Sequence, residues 1–257
     1  MRLTGRTALI TGGSRGLGAS MAMDFAKEGA QVAVVFKSRE DKATNVVNNI
    51  VSTGGSADKF QADVSEVSDC YRLTKEVLSL FGRIDILVNN AGIFIPLSIA
   101  ETNEKDWDDT LNTNLKSSFF LTQAVLPSMK KNQSGKIINV SSSFGLLGHA
   151  NAGAYCASKA GMINLTRSMC IELAPHNINV NSLAPGGAAT DLNAERREIP
   201  EFKDAFDKAT PSREYFMKSD GLSGAAIFLA SSESDYVHGA HISVDGGWTA
   251  GHVVNFP

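Results

Sequence analysis

Thr7-Ala8-Leu9-Ile10-Thr11-Gly12-Gly13-Ser14-Arg15-Gly16-Leu17-Gly18 is the stretch whose reading decides the fold. A short apolar run closed by glycines reads as a buried strand, and the apolar spacing after it (Leu17, Met21, Phe25) is helical. The unit is therefore strand, turn, helix. Gly12 suits the turn dihedrals, Gly16 lets backbone approach a ligand, and Gly18 lets the helix pack tightly on the strand. The free N–H groups and positive dipole end of that helix suit a dinucleotide pyrophosphate. A glycine turn between strand and helix also arises for packing alone, and this spacing differs from G-x-G-x-x-G, so the rest of the chain must decide.

Outward from this unit, strands keep alternating with helices. Apolar strands are expected at residues 31–36, 57–64, 84–88, 136–140, 178–183 and 241–244, with helices through Val46 to Ile50 and over residues 70–81, 115–129, 155–173 and 222–230. Regular alternation argues for a doubly wound parallel sheet of about seven strands, an α/β Rossmann-type fold with helices on both faces. The nearly continuous apolar strands are what a sheet covered on both sides requires. No linker, repeat or low-complexity tract divides the chain, so residues 1–257 are expected to form a single domain. Residues 186–218 interrupt the last crossover with charge and aromatics, the place for a substrate lid.

The bulk numbers narrow the partners. A chain of 257 residues at 43% hydrophobic content can bury a full core. The formal charge of −3, with both signs interspersed, leaves no basic stripe for nucleic acid and no polybasic membrane patch. No apolar run approaches the ~20 residues of a membrane span. The N-terminal residues lack a signal-peptide core, which predicts a cytoplasmic protein. Cys70, Cys156 and Cys170 show no C-x-x-C spacing and read as reduced thiols. The five histidines show no paired-ligand spacing, so no catalytic metal is expected. A small molecule is the expected partner.

Tyr155 and Lys159 are four apart and share one face of a helix. An ammonium beside a phenol favours the phenolate, and such a pair can pass a proton near neutral pH. The same spacing also describes a solvated helix face. Ser142 ends a strand, where its hydroxyl could bond a substrate oxygen as charge develops; Ser141 and Ser143 flank it. Asn114 stands at the start of a helix, where it serves either the site or as an ordinary cap.

Taken together, these residues resemble the short-chain dehydrogenases/reductases. Residues 11–18 are similar to that family's cofactor turn, Asp63-Val64 to its adenine contact, and Asn89-Asn90-Ala91-Gly92 to its strand-four motif. Asn114, Ser142, Tyr155 and Lys159 stand where its catalytic tetrad would be, Ser142 chosen by its interval to Tyr155. Pro185, Gly186 and Thr190 resemble its nicotinamide segment, and Val244-Asp245-Gly246-Gly247 its closing strand. The resemblance implies a ketone reductase in which Tyr155 supplies the proton, Lys159 lowers the tyrosine pKa and holds the nicotinamide ribose, and Ser142 orients the carbonyl. It implies that Asn114 bends its helix and holds a water. It also implies cofactor contacts at Gly12, Ser14, Arg15, Gly16, Leu17, Gly18, Asn90, Ala91, Gly92 and Ala188.

Charge bears on the choice of cofactor. NAD-selective turns carry an acid at the end of the second strand; here that place is Phe36, followed by Lys37, Ser38 and Arg39. With Arg15 in the turn, NADP(H) is favoured over NAD(H). Alternatively, Ser38 and Asp41 form a capping box and the cations are solvated. The substrate pocket is expected to include Phe94, Ile95, Phe144, Leu146, Leu147 and His149, with Leu192, Phe202, Phe206, Tyr215 and Phe216 from the lid. Gly187, Ala188 and Ala189 are small and could leave room beside the nicotinamide. Most of the pocket residues are apolar and suit a hydrophobic ketone or keto ester. Three substrate classes remain open: a small or medium ketone reduced to a chiral alcohol, a 3-oxoacyl thioester brought to Lys130 and Lys131 by an acidic carrier, and a sugar acid or polyol. A non-catalytic dinucleotide sensor is the alternative from another class. Family analogy implies a homotetramer built on the helices starting at Leu115 and Tyr155, their faces sealed by Phe119, Met162 and Met169 or those residues buried in the core.

Overall fold

The computed structural model describes residues 1–189 and 197–251. Its strands are β1 (Thr7–Ile10), β2 (Gln31–Phe36), β3 (Ser56–Gln61), β4 (Ile86–Asn89), β5 (Gly135–Val140), β6 (Ile178–Pro185), β7 (Gly187–Ala188), β8 (Phe216–Met217) and β9 (His241–Val244). The helices are α1 (Gly16–Lys27), α2 (Glu40–Ser52), α3 (Val67–Phe81), α4 (Glu104–Leu111), α5 (Ser117–Asn132), α6 (Gly153–Leu173), α7 (Pro200–Ala209) and α8 (Ser223–Ala230). Seven strands form one sheet in the order β3-β2-β1-β4-β5-β6-β9, every pairing parallel.

Period-two alternation along the strands builds two cores. Ala8, Ile10, Val32, Val34, Ile86 and Val88 face one side, packed by Met21, Phe25, Val46, Ile50 and Ile227 from α1, α2 and α8. Leu9, Ala33, Val35, Leu87 and Ile137 face the other, packed by Leu73, Val77, Leu121, Val125, Met129 and Leu173 from α3, α5 and α6. The chain order reverses between β1 and β4, so their carboxyl ends flank the crevice where a doubly wound sheet takes a ligand.

Several expectations are corrected. The third strand stops at Gln61 rather than running on to Val64, because Asp63 N–H turns to donate to Asp69 Oδ2 at 2.8 Å. Asn114 does not cap a helix. It lies in a π-helical turn, Asn112–Lys116, that joins α4 to α5. No Ser38 capping box forms, because the residue before α2 is Arg39 and Asp41 is held by that guanidinium at 2.8 Å. Met162 and Met169 are buried within the chain itself, whereas Phe119 is 43% exposed. No helix among the described residues is long and apolar enough to cross a membrane.

Candidate active site

The glycine turn is shaped by backbone crowding. Gly12 and Gly16 adopt φ of +62° and +54°, in the left-handed region that favours glycine. A Cβ on Gly18 would stand 2.2 Å from the Gly12 carbonyl oxygen, so the turn and α1 approach as only glycine permits. No side chain caps the start of α1 and its first turn holds no acid, leaving its N–H groups for an external anion. Thr11 Oγ1 accepts from Asn90 N and Ala91 N, both at 2.9 Å, and Asn90 Nδ2 donates to Thr11 O at 2.8 Å. The Asn90 amide thus spends its donors on the glycine turn and fixes the crevice wall.

One cleft of about 670 Å³ runs along these carboxyl ends. Every described residue expected to hold a dinucleotide lines it, from Gly12 through Lys37, Asp63 and Gly92 to Lys159 and Ala188. Thr190, and Leu192 of the expected pocket, lie outside the described residues. At the outer end, Lys37 Nζ pairs with Asp63 Oδ2 at 2.6 Å. Burial pushes the Asp63 carboxyl up, but Lys37 and Ser65 outweigh it and hold it below its ordinary value.

At the inner end, α6 presents Tyr155 and Lys159 as one face, and that face is not solvated. Lys159 is 3% exposed, donates to Val140 O at 2.8 Å and sits 5.7 Å from the Tyr155 ring centroid. Burial alone pushes its ammonium down to about 8. Tyr155 is walled by Phe94 and Phe144, at ring distances of 5.0 and 6.2 Å. That burial raises its phenol above the ordinary value, with the Ser142 hydroxyl pulling it back. The expected net lowering by lysine is therefore not found in the protein alone: desolvation wins. Ser142 is the serine turned to the phenol; Ser141 Oγ donates instead to Leu183 O at 3.1 Å.

Asn114 is fully buried and does not line the cleft. Its Oδ1 accepts from Ile93 N at 2.8 Å, and its Nδ2 donates to Ile93 O at 2.9 Å and Ser158 Oγ at 3.2 Å. It clamps the loop after β4 to α6, an arrangement that the π-helical turn makes possible.

Aromatic rings close the remaining wall. Phe94, Phe144, His149, Phe202, Phe206, Tyr215 and Phe216 line the cleft as expected, while Ile95, Leu146 and Leu147 do not. Leu146 is instead 43% exposed, because the 3-10 turn after Ser142 swings it outward. His149 stacks on Phe144 at 4.3 Å. Gly187 and Ala188 line the cleft, and where a side chain on Gly187 would extend, the Tyr215 ring stands. Sequence reasoning missed Trp248, whose ring packs on Phe206 and Tyr215 at 5.6 and 4.9 Å, and Lys105, Asp109 and Thr113, which line the cleft.

A family model described as short chain dehydrogenase matches residues 6–201, and the chain belongs to that family. It is 40% identical over 250 residues to a 2-dehydro-3-deoxy-D-gluconate 5-dehydrogenase of Dickeya dadantii, covering 96% of this chain and 97% of that one. A 3-oxoacyl-acyl-carrier-protein reductase of Staphylococcus epidermidis is 38% identical over 242 residues, covering 94% and 98%. Among solved structures, a gluconate 5-dehydrogenase from Burkholderia cenocepacia J2315, in complex with NADP and tartrate, matches with a TM-score of 0.93 at 38% identity over 97% of each chain. Family and fold make the chain an oxidoreductase acting between carbonyl and alcohol groups.

Proposed function

We propose that the chain is an NADP(H)-dependent reductase of apolar ketones, with Tyr155 as proton donor, Ser142 as carbonyl anchor and Lys159 as the cation behind them. The observation that carries this reading is the convergence of Ser142, Tyr155 and Lys159 on one end of a cleft whose other end is the glycine turn. When bound, the nicotinamide supplies hydride to a carbonyl carbon. The oxygen so left negative takes the proton of Tyr155, while the Ser142 hydroxyl donates to the same oxygen and orients it. Lys159, charged below about pH 8, favours the phenolate left behind. Asn114 acts at one remove, holding α6 and the loop after β4 in register.

The turn fits the cofactor: a cradle that a Cβ on Gly18 would fill, and an uncapped helix start for the pyrophosphate. No acid ends β2, and Arg15, Lys37 and Arg39 line that end of the cleft, which suits a 2′-phosphate. Lys37 exchanges Asp63 for that phosphate. The segment carrying α7 and β8 forms the lid, its rings excluding water from the reacting centre. The rings Phe94, Phe144 and Phe206 favour an apolar ketone over a sugar acid. Among the described residues of that end, Lys105 is paired with Asp109, leaving Lys159 as the other cation.

Tyr155→Phe tests the reading. Ketone reduction with NADPH is expected to fall by ~10²–10⁴-fold while NADPH binding, followed by its fluorescence, persists. Retained turnover would sink the assignment. Equal or better kcat/KM with NADH would overturn the cofactor preference.

A further inference from the structure

Tyr215 presents an oddity in an otherwise apolar wall. Its ring is buried, tilted against Phe206 at 4.5 Å and edge-on to Phe216 at 4.8 Å and Trp248 at 4.9 Å. Its backbone is fixed on both sides: the Tyr215 N–H donates to Asp207 Oδ1 at 2.8 Å, and the next residue, Phe216, pairs with Gly187 in the β7–β8 ladder. A Cβ on Gly187 would stand 2.4 Å from Tyr215 Cε1, so this ring position exists only because residue 187 has no side chain. Packing alone would be served equally by phenylalanine, so the hydroxyl is what sets this ring apart from its neighbours.

That hydroxyl has no hydrogen-bond partner among the described residues, and it is not among their buried unpartnered atoms, which are Ser223 Oγ and His241 Nε2. It therefore opens into the cleft that Tyr215 lines together with Tyr155. One row of rings, Phe206, His149 and Phe144, runs between the two phenols at successive ring distances of 4.5, 6.2, 4.3 and 6.2 Å from Tyr215 to Tyr155. A charge on Tyr155 would disfavour one on Tyr215. If Ser142 and Tyr155 hold the reacting oxygen, Tyr215 is left to hold another.

We propose that Tyr215 is a substrate-contacting specificity residue, its hydroxyl donating to a second, neutral oxygen one or two carbons from the reacting carbonyl. The chain then takes diketones, hydroxy ketones or keto esters ahead of simple ketones. This rests on the reading of Tyr155 and Ser142 given above.

Butanone, butanedione and ethyl acetoacetate, each assayed with NADPH, separate the outcomes. In Tyr215→Phe the ratio of kcat/KM for either substrate with a second carbonyl to that for butanone is expected to fall about tenfold, the scale of one lost hydrogen bond. An unmoved ratio with wild-type turnover intact overturns the role of Tyr215 alone. Wild-type protein that reduces none of the three overturns this and the ketone-reductase reading together. Should Tyr215→Phe not fold, Gly187→Ala asks the same question by displacing the ring, and the same fall is expected.

Discussion

Lys159 shows how a single side chain trades stability for chemistry. Its ammonium is buried with one backbone carbonyl, Val140 O, as hydrogen-bond acceptor, and burial holds it at about 8 against an ordinary 10.5. A lysine depressed in the folded state costs stability wherever both states are charged, that is below about pH 8, and the cost fades as pH rises toward 10.5. The shift corresponds to about 3 kcal/mol, of which losing the Val140 bond would return about 1 kcal/mol. Lys159→Met is therefore expected to raise the melting temperature at pH 7 by several degrees, with the gain shrinking toward pH 10, while ketone reduction collapses. Thermal scans of both proteins across that range check it; a variant less stable than the parent at pH 7 overturns the argument. Tyr155 carries the opposite sign. Burial raises its phenol, so the proton to be donated stays in place through neutral pH.

Among the elements, the join between α4 and α5 carries the most consequence for the site. Asn114 could be read from sequence as a helix start because residues 104–111 hide their helix: Glu104, Lys105, Asp106, Asp108 and Asp109 leave Thr110 as its one buried residue. What could have revealed α4 is Asn103 followed by Asp106, since Asn103 Oδ1 accepts from Asp106 N at 2.9 Å as a helix cap. Helix α7 was missed for a similar reason: it buries no residue, and Pro200 at its first position was the usable cue. By contrast, β1, α1 and α6 were legible because their apolar spacing feeds the two cores directly. In Asn114→Ala, Ile93 N and O lose their partner inside the protein, while Ser158 Oγ keeps its bond to Tyr155 O. The expected loss is about 2–3 kcal/mol, read as a lower melting temperature together with faster amide exchange at Ile93. Exchange at Ile93 unchanged from the parent would show that the clamp is not what holds that loop.

Across the whole molecule the sheet divides its labour between its two edges. The carboxyl ends hold the cleft, whereas the amino ends hold a polar cluster with no part in it. There Asp85, 1% exposed, accepts from Thr7 N at 2.8 Å and pairs with Arg83 and Arg6, and buried Lys136 pairs with Asp235 at 2.7 Å. Burial pulls the Lys136 ammonium down and Asp235 opposes it. These residues were invisible to a motif reading, because ion pairs at the amino ends join β1, β4, β5 and the segment before β9, which only the folded sheet brings together. Asp85→Ala strands the Thr7 amide in the core, while the half-exposed arginines regain water. The expected cost is about 2 kcal/mol, or ~4–8 °C in melting temperature for a domain of this size. Because the cluster and the cleft lie at opposite ends of the same strands, kcat/KM of the folded Asp85→Ala protein should stay within about twofold of the parent. Tyr155→Phe should show the converse, an intact melting temperature with turnover lost. If Asp85→Ala lowered kcat/KM as strongly as it lowered stability, the two edges would be coupled and this division would be wrong.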